Sequence, residues 1–246
     1  MTPEAMLDLC ARVSDAVRDA VGNIDADRLG HAGVRESQYH LDLVADEVAL
    51  SILHAEGVGV VSEETGFTGN PDSPVVFVLD PVDGSTNASR GLPLWATAIG
   101  VRVGGDVVAG YVRNQVTGTT WTATRGGGAY RDGSRIWASD VRSSERAIVA
   151  VEGFPPETPF WQFRALGSAA LDLCLVADGS VDGSVLPWGV YVWDYLGAML
   201  ICEEAGAVVA EAKGDTLIDA PPGEKRWPLA AGTPEFLDAL RPAAIR

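Results

Sequence analysis

The stretch with most capacity for chemistry is Asp80-Pro81-Val82-Asp83-Gly84-Ser85-Thr86, which follows directly on the apolar run Val75 to Leu79. Two carboxylates three residues apart, at the end of a buried strand, can converge on one point. Pro81 fixes the first turn, and Gly84 allows a tight bend with an exposed N–H. Oxygen donors of this kind suit a hard cation such as Mg²⁺. An Asp-Pro and Asp-Gly turn is the plain alternative, but turns rarely follow so apolar a strand with two acids.

Three other groups strengthen the cation reading. Glu63 and Glu64 close the short apolar strand Val58 to Val61, where adjacent carboxylates repel unless a cation compensates them. Alone they would read as surface loop acids. Asp194, after Trp193, starts an apolar helix and could equally be its N-cap. Gly167-Ser168-Ala169-Ala170 opens another helix with small residues, and free N–H groups there favour a phosphate.

The elements that must position these groups are legible in outline. Thr2-Pro3 opens a helix whose apolar face is Met6, Leu9, Cys10, Val13 and Val17, with Gly22 after its end. A glycine-containing polar loop leads to a second helix over 42–56, closed by Gly57. Val75 to Leu79 reads as a central buried strand. Residues 95–103 and 106–112 flank Gly104-Gly105 as a hairpin, and strands near 119–124 and 129–137 follow. Ala147 to Val151 reads as a strand, Ser168 to Ala177 and Asp194 to Ala205 as buried helices. Strands near 207–210 and 228–231 precede a last helix from Pro234. Buried helices between strands imply α/β layers packed on one another. A soft boundary near residue 145 divides the chain into an N-terminal α+β lobe, 1–145, and a C-terminal α/β lobe, 146–246, within one continuous globular unit.

Composition narrows the function classes. The 246 residues are 47% hydrophobic and 21% charged, ordinary for a soluble protein. A formal charge of −16 argues against nucleic-acid or anionic-membrane binding, which need excess Lys and Arg. A small phosphorylated ligand remains compatible if bound cations invert the local field. The N-terminal MTPEAMLDLC is not a signal peptide in pattern, and no run approaches the roughly 18 apolar residues of a membrane span. Cys10, Cys174 and Cys202 read as reduced thiols of a cytoplasmic protein, and His31, His40 and His54 as structural or surface residues. GVGVVS (57–62) follows a helix and lacks the third glycine of a dinucleotide fingerprint. Gly126-Gly127-Gly128 has no following Lys-Ser/Thr and reads as a tight connection. DPVDGSTN lacks the alternating acids of a calcium loop, and no Gly-x-Ser-x-Gly elbow is present.

GVVSEE (59–64), VLDPVDGSTN (78–87), GSAALDLCLVADGSVD (167–182) and Trp193-Asp194 together resemble the ordered signature motifs of the inositol monophosphatase superfamily. The resemblance runs from about residue 5 to 240 and implies that family's α-β-α-β-α sandwich. By position it makes Glu63, Asp80, Asp83 and Asp194 the Mg²⁺-binding carboxylates, with the Val82 carbonyl completing one coordination sphere. Asp42, or Asp46 one helical turn on, falls where the family keeps an Asp for a weaker metal. The implied reaction is phosphomonoester hydrolysis by water, with two or three Mg²⁺ neutralising the phosphate and no covalent intermediate. Ser85 and a carboxylate, Glu63 or Asp42, would orient and deprotonate the water. Asp83 and Asp194 would stand beside the departing alkoxide, and the amides of Gly84 and Ser85 would hold phosphate oxygens. Gly167, Ser168 and Ala169 would add to phosphate binding. Homodimers are common in the family.

The alcohol end departs from the pattern. Inositol monophosphatases commonly place a sugar-binding Glu seven residues before the last metal Asp; here that position is Pro187, beside Trp188. A shifted loop could restore an acid such as Asp182. The expectation is a reduced preference for inositol 1-phosphate, with histidinol phosphate, sugar phosphates and nucleotide-derived phosphates open. A catalytically silent metal- or metabolite-binding protein on the same fold is the competing class.

Overall fold

The computed structural model describes residues 1–24 and 39–245. His31 and the polar loop expected before the second helix lie outside the described residues. Helix α1 (Pro3–Gly22) starts where Thr2 Oγ1 accepts the Ala5 N–H and Pro3 fills the first turn, where an N–H would have no partner. α2 (His40–Ala55) packs against it.

Strands β1 (Gly59–Ser62), β2 (Gly66–Gly69) and β3 (Val75–Asp83) follow, then the short helix α3 (Ser85–Ser89). β4 (Ala96–Val103), β5 (Asp106–Asn114), β6 (Thr120–Thr124), β7 (Gly128–Arg131) and β8 (Ser134–Arg135) complete an eight-stranded sheet in the order β2-β1-β3-β4-β5-β6-β7-β8. Among the described strands of this sheet, only the β1–β3 pairing is parallel. Strand alternation divides β3 between two cores. Phe77 and Leu79 pack with α1 and α2, while Val76 and Val78 turn to the opposite face.

The second sheet contains β9 (Ile148–Val151), β10 (Gln162–Arg164), β11 (Gly183–Val185), β12 (Val208–Glu211) and β13 (Pro228–Ala231), ordered β10-β9-β11-β13-β12. Helices α4 (Ala169–Ala177) and α5 (Val192–Glu204) lie between the sheets, in one core with Val78 and Val112 of the first and Ala150 and Ala230 of the second. Helix α6 (Pro234–Ala244) covers the outer face through Phe236, Leu237 and Leu240. The layer order is α-β-α-β-α, as expected. Strands of the first sheet fall within residues 59–135 and those of the second within 148–231, while α4 contacts both.

Helix α5 lies unusually close to β4 and β5. A Cβ on Gly197 would come within 2.3 Å of the Ile99 carbonyl oxygen, and one on Gly110 within 2.3 Å of the Gly197 oxygen. Bare backbone on both sides lets the helix that carries Asp194 rest directly on the sheet.

Two expectations change. β3 does not stop at Leu79 but continues through Asp83. Helix α5 starts at Val192 rather than Asp194, so Asp194 sits in the first turn and is not the N-cap. β2, β10, β11 and α3 were not foreseen. Each is five residues or shorter, too short to show a hydrophobic period.

Candidate metal and phosphate site

On a regular strand, residues three apart point to opposite faces. Asp80 and Asp83 escape this through a bulge in β3. Asp80 pairs with Ala98 and Asp83 with Ala96, so an extra residue is accommodated between them and the alternation is reset. Thr97 Oγ1 anchors the bulge by donating to the Pro81 carbonyl at 2.8 Å, and the Val82 N–H donates to Asp80 Oδ1 at 2.9 Å. Both carboxylates then reach Asp194, with one oxygen from each of the three lying within 4.8 Å of the others.

The start of α4 holds Asp83 in place. Ser168 Oγ donates to Asp83 Oδ2 at 2.5 Å, the Ala170 N–H to the same oxygen at 2.8 Å, and the Ala169 N–H to Oδ1 at 3.3 Å. The helix start expected to bind phosphate therefore already carries an anion, the Asp83 carboxylate. Ser168 and the amides of Ala169 and Ala170 act on it, whereas Gly167 and Ala169 still line the cavity. Asn87 ties the same two segments together, its Nδ2 donating to the carbonyls of Leu94 and Leu166, both at 2.7 Å. Gly84, at φ 93°, brings the chain so near that a Cβ would sit 2.8 Å from the Gly167 oxygen.

Asp194 and Asp42 are held alike. Each stands in the first turn of its helix and accepts an N–H three residues back: Tyr191 to Asp194 at 2.7 Å, Tyr39 to Asp42 at 2.8 Å. Asp42 is not on the cavity wall, but its charge acts on Asp80. Asp46 is turned to Ser62, whose hydroxyl donates to it. Tyr39 Oη lies 3.1 Å from Thr86 Oγ1, joining the start of α2 to the loop after β3.

Burial, then the charges of Glu63, Asp83, Asp194 and Asp42, raises the Asp80 pKa well above the carboxylate range. Burial followed by Glu63 and Asp83 does the same to Asp194. Asp83 rises less, to about 6, because Ser168 and the α4 amides offset part of the burial. Asp42 is pushed up to about 8 by burial, and by Glu63 and Glu64 against the Tyr39 amide. Packed acids with raised proton affinity are stable as carboxylates when cations stand among them. The all-oxygen donor set fits Mg²⁺.

These groups face a cavity of about 420 Å³ that also touches Val82, Gly84, Ser85 and Thr86. Its described lining holds five acidic residues and no Lys or Arg. A cavity of about 530 Å³ near Phe67 and Arg102 has no acidic group among its described lining residues. Glu152, the fifth acid, escaped the sequence reading although it follows the apolar strand β9 as Glu63 follows β1. That shared position, an acid at the carboxyl end of a buried strand, was the available signal. Asp172, in α4, is buried with neither oxygen hydrogen-bonded to a described residue, and burial holds its pKa well above the ordinary value. Asp182 does not replace the missing sugar-binding acid. It accepts the Ile148 N–H at the far end of β9. His54 bonds Thr68 away from the site, and Cys10, Cys174 and Cys202 are buried free thiols.

A sequence profile of the inositol monophosphatase family matches residues 4–241. The chain belongs to the inositol monophosphatase family. A protein of Archaeoglobus fulgidus named fructose-1,6-bisphosphatase/inositol-1-monophosphatase is 38% identical over 187 residues, 72% of this chain and 71% of that one. The Nus factor SuhB of Pasteurella multocida is 32% identical over 193 residues, 71% and 72% of the two chains. Among solved structures, a hypothetical protein of Pyrococcus horikoshii with similarities to inositol-1 monophosphatase superposes with a TM-score of 0.89 at 22% identity, covering all of both chains. The extragenic suppressor protein SuhB of Bartonella henselae gives 0.82 at 24%, over 97% of this chain and 98% of the other. Both similarities concern the fold.

Proposed function

We propose that this chain is a Mg²⁺-dependent phosphomonoesterase acting on a small phosphorylated metabolite. The observation that carries the reading is the convergence of Asp80, Asp83 and Asp194 at the wall of an acidic cavity. With Glu63 and the Val82 carbonyl, these residues would hold the cations, and Asp42 would serve a further, weaker one. Bound Mg²⁺ would supply charge neutralisation at phosphorus and a more acidic water. The protein supplies the rest. The Ser85 hydroxyl orients the attacking water, and Glu63, with Asp42 as the alternative, takes its proton. The first-turn amides after Gly84 have no intrahelical acceptors and receive phosphate oxygens. Gly167 and Ala169 bound the phosphate on the opposite wall, with Ser168 acting through Asp83. Asp194 stands at the leaving oxygen.

The names of the relatives point two ways. The Archaeoglobus protein is named for sugar and inositol phosphate hydrolysis, whereas the Nus factor SuhB relatives are named for a role other than catalysis. For this chain the intact acidic ring favours hydrolysis. Its charge of −16 leaves few cations for a nucleic-acid backbone. The buried free thiols suit a reducing cytoplasm, and we take the assembly to be a homodimer.

Phosphate release from a panel of inositol, sugar, histidinol and nucleotide-derived phosphates, with Mg²⁺ and again with EDTA, tests the proposal. Turnover that requires Mg²⁺ is expected. No metal-dependent release from any ester would favour the non-catalytic role.

A further inference from the structure

A second cavity, about 250 Å³, opens beside the acidic one and shares Asn87, Glu152 and Gly167 with it. Its walls are unlike those of its neighbour. Gly153, at φ 117°, lets the Trp188 ring lie on the backbone, since a Cβ there would come within 2.7 to 2.9 Å of three ring atoms. Phe154 meets Trp188 edge-on, with ring centroids 5.5 Å apart and planes at 72°. Both rings remain open to solvent, Trp188 by 50% and Phe154 by 70%. Large aromatics left exposed in a pair at a cavity mouth mark a surface made for contact.

Glu152 is fixed between the two cavities, its N–H donating to the Val185 carbonyl at 3.2 Å. No hydrogen bond or ion pair joins its carboxylate to another described residue. Burial and the nearby charge of Asp83 raise its pKa to about 7. Lys225, beside Trp188, is engaged elsewhere: its Nζ donates to the Trp188 carbonyl, and its charge acts on Asp194. The position from which a polyol would be bound is Pro187, which has no polar side chain and whose carbonyl accepts the Trp227 indole N–H at 3.3 Å.

We propose that this annex receives the alcohol end of the substrate and selects an alcohol bearing a cation, a protonated amine or an imidazolium, over an uncharged polyol. The inference rests on the phosphatase reading above. A cation held between Glu152 and the faces of Trp188 and Phe154 gains a charge-assisted hydrogen bond and cation–π attraction together. A neutral hydroxylated ring could donate a hydroxyl to Glu152, but it gains neither the ion-pair attraction nor the cation–π contact, and it meets apolar Val151, Ala165 and Leu166 on the rest of the wall. Glu152 and Trp188 are thus the specificity-determining residues, and the phosphate end is common to both classes of ester.

The test compares kcat/KM for L-histidinol phosphate, which carries both cationic groups, with that for uncharged 3-phenylpropyl phosphate, with Mg²⁺ present. The intact protein is expected to favour the cationic ester by about tenfold or more. That ratio is expected to collapse towards unity in Glu152→Gln, and to fall in Trp188→Ala, chiefly through KM of the cationic ester. Equal turnover of the two esters by the intact protein, or a ratio that survives both substitutions, would overturn the proposal. If neither ester is hydrolysed, the phosphatase reading fails separately. Calorimetry with free L-histidinol and with 3-phenylpropanol then decides the annex. Binding of the cation alone, lost in Glu152→Gln, supports it, and equal binding or none refutes it.

Discussion

Asp83 shows how a carboxylate can be aimed by the protein and still left available to a cation. One oxygen takes Ser168 Oγ and the Ala170 N–H, and the other has only the longer contact from Ala169. Removing the negative charge with Asp83→Asn, or with Glu63→Gln, is expected to lower kcat/KM by about 10²-fold or more, measured by steady-state phosphate release. Ser168→Ala should act differently. It keeps the carboxylate but loosens it, so Mg²⁺ affinity should fall by about 10- to 100-fold while the fold is retained, as calorimetric titration would show. Asp80, Asp83, Glu63 and Asp194 were legible in the sequence because each stands where an apolar strand or helix ends or begins. Glu152 occupied the same kind of position and was passed over, since no second acid stands beside it. Tyr39 and Asn87 gave no signal, because their role is to join segments 47 and 79 residues apart.

At the scale of elements, the site depends on a bulge and a close helix contact. The bulge in β3 could not be foreseen from β3 alone, because it is defined by the offset against Ala96 and Ala98 on β4. The first and last helices were readable from Thr2-Pro3 and from Pro234, and the sheets from runs such as Val75–Leu79. Short strands such as β10 owe their pairing to neighbours rather than to their own sequence. The Gly197 contact gives a test of this level. Gly197→Ala forces a methyl against the Ile99 carbonyl and should destabilise the fold by about 1–3 kcal/mol in denaturant unfolding. Gly110→Ala strains the same contact, so the double substitution should cost less than the sum of the singles. Additive costs would mean that α5 and the β4–β5 backbone do not share one interface.

For the whole molecule, the raised carboxyls couple stability to pH and to metal. Asp42 at about 8 and Asp83 at about 6 bind protons more tightly folded than unfolded. Between the unfolded carboxylate range, near pH 4, and about pH 8, the folded state therefore holds extra protons, and metal-free stability falls as pH rises. The Tm of EDTA-treated protein is expected to drop from about pH 5 to about pH 8, and Mg²⁺ should raise it more at the upper end. A Tm that climbs with pH in EDTA would show that the acids are already compensated without metal. The chain carries a charge of −16 overall, and among the described residues the acids that converge closely enough to share a cation are Asp80, Asp83 and Asp194.

The central claim is that the ring of Asp80, Asp83 and Asp194 with Glu63 is a divalent-cation site. Anomalous scattering from crystals grown with Mn²⁺, a substitute that accepts the same oxygen ligands, tests it most directly. The expected result is at least one strong anomalous peak enclosed by the carboxylates of Asp80, Asp83 and Asp194. Crystals whose anomalous density is absent there, or lies only at other acidic residues, would contradict it.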